Sequence, residues 1–375
     1  MFDSDLRGCP IAMNTYYPTS GPRTGKHNFV SIIMPVRNEA AYIVPCLQAV
    51  LAQDYPADAF EVIIADGMSD DGTREKVHEL ASRYSRVRLI DNPQRFVSPG
   101  LNAALRAARG DILIRMDAHT EYEPDYVRQC VEVLQETGAA NVGGAWRATG
   151  RSYWQKAIAL AFQSPFSSGG AGSHAVDYEG EVDAVYLGCW RKSTLEQVGG
   201  FDEDLVRNQD DELSLRLVRA GAKLWQSPRI RSWYYPRASL RALFNQYAQY
   251  GYWKVRVIQK HKLLASMRHL VPGGFVASLM MLIVLSCFSH AARWLLAGLV
   301  SFYIVANLGA SLLTCRTPAT FRYLPVLPLI FAAYHFGYGY GFLRGLVDFS
   351  LRRKGGSSTF SQLTRRQENT TDHGG

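Results

Sequence analysis

Apolar and polar positions in the first 120 residues alternate in blocks rather than singly. Residues 29–34 form a short apolar run that ends at Pro35, and residues 40–52 follow with helical periodicity. A second run, 60–65, ends at Asp66 and Gly67, and residues 73–84 repeat the helical pattern. A third run at 86–90, a helical stretch at 98–108 and a fourth run at 111–116 complete the series. Short apolar runs separated by amphipathic stretches predict an α/β fold with a parallel, doubly wound sheet. Ligands of such sheets bind beyond the carboxyl ends of the strands. Three polar clusters fall there: Pro35 to Glu39, Asp66 to Thr73, and Asp117 to His119.

Further on the pattern changes. Residues 140–235 are less regular and include a Gly/Ser-rich loop at 167–174, expected to close over a ligand. Residues 210–220 have the spacing of an amphipathic helix. From 238 to 262 a helical pattern interleaves Phe244, Tyr247, Tyr250, Tyr252 and Trp253 with Arg241, Lys254, Arg256, Lys260 and Lys262. That mixture suits a helix lying in a membrane interface; a surface helix with an inward aromatic stripe is the competing reading. Three apolar stretches follow, at about 270–288, 294–313 and 323–347. Each is near the ~20 residues that span a bilayer. In the third, Gly337, Gly341 and Gly345 recur every four residues, a small-residue face for helix packing within one chain or between two. Basic residues before the first stretch put that end in the cytoplasm, but three crossings would place Arg352, Arg353 and Lys354 outside, against the same rule. The expected division is a flexible leader at 1–28, a catalytic domain at 29–237, an interfacial helix region at 238–269, membrane helices at 270–347 and a disordered tail at 348–375.

The chain has 375 residues, of which 47% are hydrophobic and 20% charged, which excludes disorder for most of its length. Its net charge of +8 accompanies an apolar final third, so a membrane surface is the expected partner and nucleic acid is not. The 6 cysteines contain no CxxC pair, which argues against a zinc ribbon or disulfide framework. The N-terminus lacks the basic and apolar regions of a signal peptide.

Each cluster has its own chemistry. After the first strand, the backbone of Pro35, Val36 and Arg37 can meet a nucleotide base, and Glu39 can accept from ribose hydroxyls. Asp66, at the end of a buried strand, can accept from the imide N–H of uracil, with Met68 beside it. Asp70, Asp71 and Thr73 have an ordinary role as turn and cap residues. In the segment Asp117-Ala118-His119, the Asp oxygen and His nitrogen can both bind a divalent ion that neutralises a diphosphate. Asp210, at a helix start within Gln209-Asp210-Asp211-Glu212-Leu213, can act as general base towards a sugar hydroxyl; acids also favour that end of a helix dipole. The first strand is not followed by a G-x-G-x-x-G turn, which disfavours a nucleotide-dependent oxidoreductase.

In order along the chain, Pro-Val-Arg-Asn-Glu, the DGMSDDGT block at 66–73, DAH at 117–119, GGFDE at 199–203 and QDDEL at 209–213 resemble the inverting family 2 glycosyltransferases of GT-A fold. The resemblance covers about residues 29–260. The DAH variant, the segment at 249–254 and the apolar tail are similar to the bacterial exopolysaccharide glucosyltransferases of succinoglycan assembly. The resemblance implies a UDP-hexose donor, a lipid-linked saccharide acceptor, a cation (Mn2+ or Mg2+) at Asp117 and His119, a base contact from Asp66 and catalysis by Asp210. It implies acceptor or diphosphate contacts from Asp183, Gly188, Cys189, Trp190, Asp211, Arg216, Gln249, Trp253 and Lys254. A multi-pass place in the cell inner membrane, catalytic domain towards the cytoplasm, follows from it. Three departures stand out. His119 replaces an acid and favours manganese. Gln209 replaces the acid usually found before the base. Tyr252 replaces the arginine of the processive QxxRW pattern, which favours transfer of a single sugar. A polyprenyl-phosphate sugar synthase with the same donor site, and a non-catalytic membrane scaffold, are the alternatives.

Overall fold

The computed structural model describes residues 27–170, 174–262, 266–351, 356 and 358–361. The strands are β1 (Val30–Val36), β2 (Phe60–Asp66), β3 (Val87–Asp91), β4 (Ile112–Arg115), β5 (Thr120–Tyr122), β6 (Asn141–Gly144), β7 (Arg147–Ala148), β8 (Gly180–Glu181), β9 (Tyr186–Arg191), β10 (Leu224–Gln226) and β11 (Ser232–Tyr234). The helices of the α/β part are α1 (Ile43–Leu51), α2 (Thr73–Arg83), α3 (Val97–Ala107), α4 (Tyr126–Thr137), α5 (Tyr153–Phe162), α6 (Pro165–Ser168), α7 (Lys192–Gln197) and α8 (Gln209–Arg219). After them come α9 (Leu240–His261), α10 (Val271–Ser286), α11 (His290–Thr314), α12 (Pro318–Phe321), α13 (Leu327–Gly345) and α14 (Ser358–Ser361).

The main sheet has strand order β3-β2-β1-β4-β9-β6-β10-β8. Its first four strands are parallel, as the block pattern predicts. β9 then runs antiparallel between β4 and β6. Every residue of β2 is buried, because helices cover both faces of the sheet. Val30, Ile32 and Met34 of β1 enter one core with residues of α1 and α4, while Ile33 enters the other with residues of α3 and α8. The register places Val36 beside Asp66 and Asp66 beside Asp91, so the loops after β1 and β2 leave the sheet at the same edge. A second sheet, ordered β5-β11-β7, stands next to the β4–β5 connection.

The C-terminal helices differ from expectation. The span Met267–Ser286, most of it α10, and the span of α11 are long and apolar enough to cross a membrane, and they expose Met280, Val284, Trp294, Phe302 and Val305. The third apolar stretch becomes α13, which is packed inside the protein: Leu327, Ile330, Phe331 and Tyr334 are buried. Its glycine face meets α9 of the same chain. A Cβ on Gly337 would lie 2.8 Å from the Phe244 carbonyl oxygen, and one on Gly345 would lie 2.7 Å from that of Tyr252. Gly341 faces the Ala248 carbonyl between them, so the two helices run parallel. Two of the three expected membrane segments are thus long and apolar enough to span, while the third is covered by a neighbouring helix along its glycine row.

α9 follows the inward-stripe reading. Tyr252, Trp253 and Lys254 are buried, and the Trp253 indole N–H donates to the Phe360 carbonyl at 2.9 Å. Phe360 stacks on Tyr252 with ring centroids 4.3 Å apart. The expected disordered tail therefore has an anchored part, since Phe349 and Phe360 are both buried. The rest of that tail after 361, the leader up to residue 26 and positions 171–173 of the Gly/Ser loop lie outside the described residues.

Gly341→Ala is expected to lower stability by about 1–3 kcal/mol, because the added methyl meets the Ala248 carbonyl and the helices cannot separate freely. Thermal unfolding in detergent measures it. Gly298→Ala, where an added Cβ meets nothing within 4 Å, serves as the unaffected control.

Candidate active site

The loops after β1 and β2 are tied to each other. The Arg37 guanidinium donates to the Gly67 carbonyl. Asn38, in the left-handed region at φ 55°, donates its backbone N–H to Ser69 Oγ at 2.9 Å and its side-chain amide to Asp70 at 2.8 Å. The Glu39 N–H donates to Thr73 Oγ1 at 2.9 Å. Asp66 is 1% exposed. Its carboxylate accepts from the Ser69 N–H at 3.0 Å and hydroxyl at 2.5 Å, and pairs with Arg74 at 2.7 Å. Asp66 thus holds the loop that carries Met68 and Ser69.

The end of β4 supplies the next group. Arg115 forks onto the Asp117 carboxylate, Nε to Oδ1 at 3.0 Å and Nη2 to Oδ2 at 3.2 Å. The Tyr122 hydroxyl accepts from the Asp117 N–H at 2.6 Å and fixes the turn. Two residues on, His119 Nδ1 lies 3.1 Å from Glu39 Oε1, which joins the first strand-end cluster to the third.

α8 brings the last group. Asn208 takes the left-handed conformation at φ 62°, and its side chain donates to the Tyr250 carbonyl of α9 at 2.9 Å, which sets where α8 begins. Asp210 Oδ1 accepts from the Asp211 N–H at 3.0 Å. Burial pushes the Asp210 carboxyl above the usual carboxylate range, the neighbouring Asp211 charge pushes it the same way, and Arg115 opposes both. Burial raises Asp211 too, but the Lys254 ammonium at 2.6 Å outweighs it and leaves Asp211 below that range. Two adjacent carboxyls thus carry opposite shifts, the arrangement that suits one of a pair to accept a proton while the other stays charged.

These groups share one cavity of about 550 Å³. Pro35, Val36, Arg37, Glu39, Asp117, His119, Asp210, Asp211 and Lys254 all line it, so most of the expected donor, metal and base residues converge. The others do not reach it. Asp66 is buried where it holds the Ser69 loop, and Met68 is exposed on that loop. Asp183 pairs with Arg268 at 2.8 Å. Cys189 and Trp190 are buried in opposite cores, because β9 lies between two strands and alternate side chains enter opposite faces. Gly188 sits against the Trp190 ring, and β9 meets the cavity through Tyr186 instead. Arg216 forks onto Glu212 at 2.7 and 2.8 Å and donates to the Val198 and Gly200 carbonyls, in a separate cavity. Gln249 is buried and acts one step removed, accepting from Arg207 at 3.0 Å. Trp253 is fixed in the aromatic cluster under α14.

Sequence reasoning missed several lining residues. Arg115 had a signal: a lone charge inside the apolar run before Asp117. Arg207, Arg237, Trp146, Tyr186 and Tyr234 had none, since they come from short strands and connections separated widely along the chain. The cavity wall carries six cationic side chains (Arg37, Arg95, Arg115, Arg207, Arg237, Lys254) and four carboxylates (Glu39, Asp117, Asp210, Asp211), an excess that suits an anionic ligand. Among the described residues no group of three or more His, Cys, Asp or Glu side chains is placed to hold a metal by itself.

Comparison with known proteins agrees with this geometry. The pattern described as Glycosyl transferase family 2 matches residues 31–190. The succinoglycan biosynthesis protein ExoA of Rhizobium meliloti (strain 1021) is 34% identical over 327 residues, covering 86% of this chain and 96% of the relative. A dolichyl N-acetyl-alpha-D-glucosaminyl phosphate 3-beta-D-2,3-diacetamido-2,3-dideoxy-beta-D-glucuronosyltransferase of Methanococcus voltae is 30% identical over 344 residues, covering 89% of this chain and 99% of the relative. Among solved structures, a mannosyltransferase from Pyrobaculum calidifontis in complex with GDP-Man and Mn2+ superposes with a TM-score of 0.57 at 19% identity, covering 86% of this chain and 88% of that one. That likeness establishes the fold as GT-A. With the ordered strand-end motifs converging on one cavity, and a relative of this similarity spanned almost end to end, the chain belongs to the family 2 glycosyltransferases.

Proposed function

We propose that this enzyme is a membrane-anchored inverting transferase that moves a hexose, with UDP-glucose the leading donor, onto a lipid-linked saccharide during assembly of a bacterial exopolysaccharide or other cell-surface glycan. The observation that carries the reading is the single cavity in which Pro35 to Glu39, Asp117, His119 and Asp210 meet. The names of the Rhizobium and Methanococcus relatives support an acceptor of that class.

The donor enters against the β1 loop, with its diphosphate among the cationic side chains. Asp117 and His119, one carboxylate and one imidazole lining the same cavity, have the donor chemistry to hold a divalent cation. They are the residues that would hold Mn2+ or Mg2+, whose chemistry there is neutralisation of the diphosphate charge. Asp210 takes the proton of the acceptor hydroxyl as that oxygen attacks the anomeric carbon from the face opposite the leaving diphosphate. One displacement inverts configuration and needs no nucleophilic side chain. Asp211, tied to Lys254, keeps its charge and raises the basicity of its neighbour.

The acceptor approaches from the helical side, where Tyr247, Lys254, His269 and Tyr338 line the cavity. His269 immediately precedes α10, one of the two exposed apolar helices. A lipid anchor in a bilayer around α10 and α11 would thus present its head group to the cavity. Lys260, Lys262 and Arg268 beside α10 favour the cytoplasmic face of the cell inner membrane.

A panel of nucleotide sugars incubated with the full-length protein and manganese tests the reading. Turnover of one UDP-hexose above the others is the expected result, and turnover of none would remove the proposed donor. Asp210→Asn is expected to lower transfer by roughly 10²–10⁴-fold, while titration calorimetry shows UDP binding retained. The carboxylate form of Asp210 is the active one and its pKa is raised. Activity is therefore expected to fall, as pH is lowered, at a pH above the ~3.9 of an ordinary aspartate, and a pH–rate profile measures the limb.

A further inference from the structure

Arg115 carries a positive charge into the sheet. On β4 it follows Leu113 on the same face, the face that packs against Leu213 and Leu217 of α8, and its register partner is Ile33 at the centre of β1. It is 7% exposed. A guanidinium so placed is costly unless anions are fixed around it. One anion is Asp117, engaged by a two-point fork at 3.0 and 3.2 Å. A second is Asp210 at the start of α8, which lines the same cavity and whose charge favours the cationic form of Arg115. The other charged groups facing Asp210 are Asp211 on the same helix, Lys254 of α9 through Asp211, and Arg207 from the preceding loop. Among the cations that line the cavity, Arg115 is the one that comes from the centre of the sheet, and it forks onto the Asp117 carboxylate.

We propose that Arg115 is a positioning residue for sugar transfer: one buried guanidinium fixes the plane of the Asp117 carboxylate and keeps a positive charge against Asp210. It thereby links the donor end of the cavity to the proton acceptor. The inference rests on the assignment of Asp210 as the base and deepens it. The fork holds Asp117 with both oxygens level, ready to share one with a cation, and the charge keeps Asp210 ionised despite burial beside Asp211.

Two substitutions in the full-length protein separate the two effects. Arg115→Lys keeps the charge and loses the fork. Its affinity for Mn2+ in the presence of UDP, read by electron paramagnetic resonance of free manganese, is expected to weaken several-fold, with the acid limb of the pH–rate profile unmoved. Arg115→Met loses both, and its acid limb is expected to move up by about one unit, the effect of removing an opposite charge near a carboxyl. Equal or tighter manganese binding in Arg115→Lys overturns the proposal, whether or not Arg115→Met folds. An unmoved acid limb in a folded Arg115→Met overturns it as well. The manganese titration does not depend on Asp210, so turnover surviving in Asp210→Asn would sink the base assignment alone and would be told apart from failure of the Arg115 assignment.

Discussion

A charge inside a sheet has to be answered by charges whose positions are fixed, and that requirement orders the whole site. Arg115 lies on a strand buried on both faces, and its two anionic neighbours come from different elements, the turn after β4 and the start of α8. Asp117 stands two residues beyond the strand, while Asp210 arrives on a helix that is anchored through Asn208 to α9. Loss of the Asp117 partner would leave a buried guanidinium without its ion pair, a costly state.

The same logic separates the two acids of α8. They are adjacent in sequence and similarly enclosed, yet Lys254 reaches only one of them. The α9 helix thus does electrostatic work for the α/β domain, and its position depends in turn on α13. Contact between the Phe244, Ala248 and Tyr252 carbonyls and the Gly337, Gly341 and Gly345 row sets how deeply α9 sits. Helices that read as membrane elements are part of what tunes the two carboxyls of α8.

Much of the α/β half was legible because its strands are continuous apolar runs and its helices keep their own period. Residues 29–116 gave the parallel order, and the three polar clusters fell at the strand ends where such sheets bind ligands. Asp117, His119 and Asp210 were legible for the same reason: each lies just outside a recognisable element. Legibility failed where partners are set by tertiary contact. Asp66 has the position of a ligand residue, but Ser69 and Arg74 lie close enough to take its oxygens. Cys189 and Trp190 look accessible beside a glycine, but β9 is flanked by strands on both sides. The third apolar stretch matched the length of a bilayer, but its glycine row, His335 and Arg344 make it lower in hydropathy than α10 and α11, and α9 covers it.

The contact between Trp253 and Phe360 bears on how the protein can be handled. Phe360 is wedged against Tyr252 and Trp253, and Ser361 lines the same cavity as Asp210. Helix α14 is thus seated next to the cavity that Asp210 lines. A truncation that removes it would uncover the aromatic cluster on α9, the helix whose Lys254 holds Asp211, and open the cavity rim at the same time.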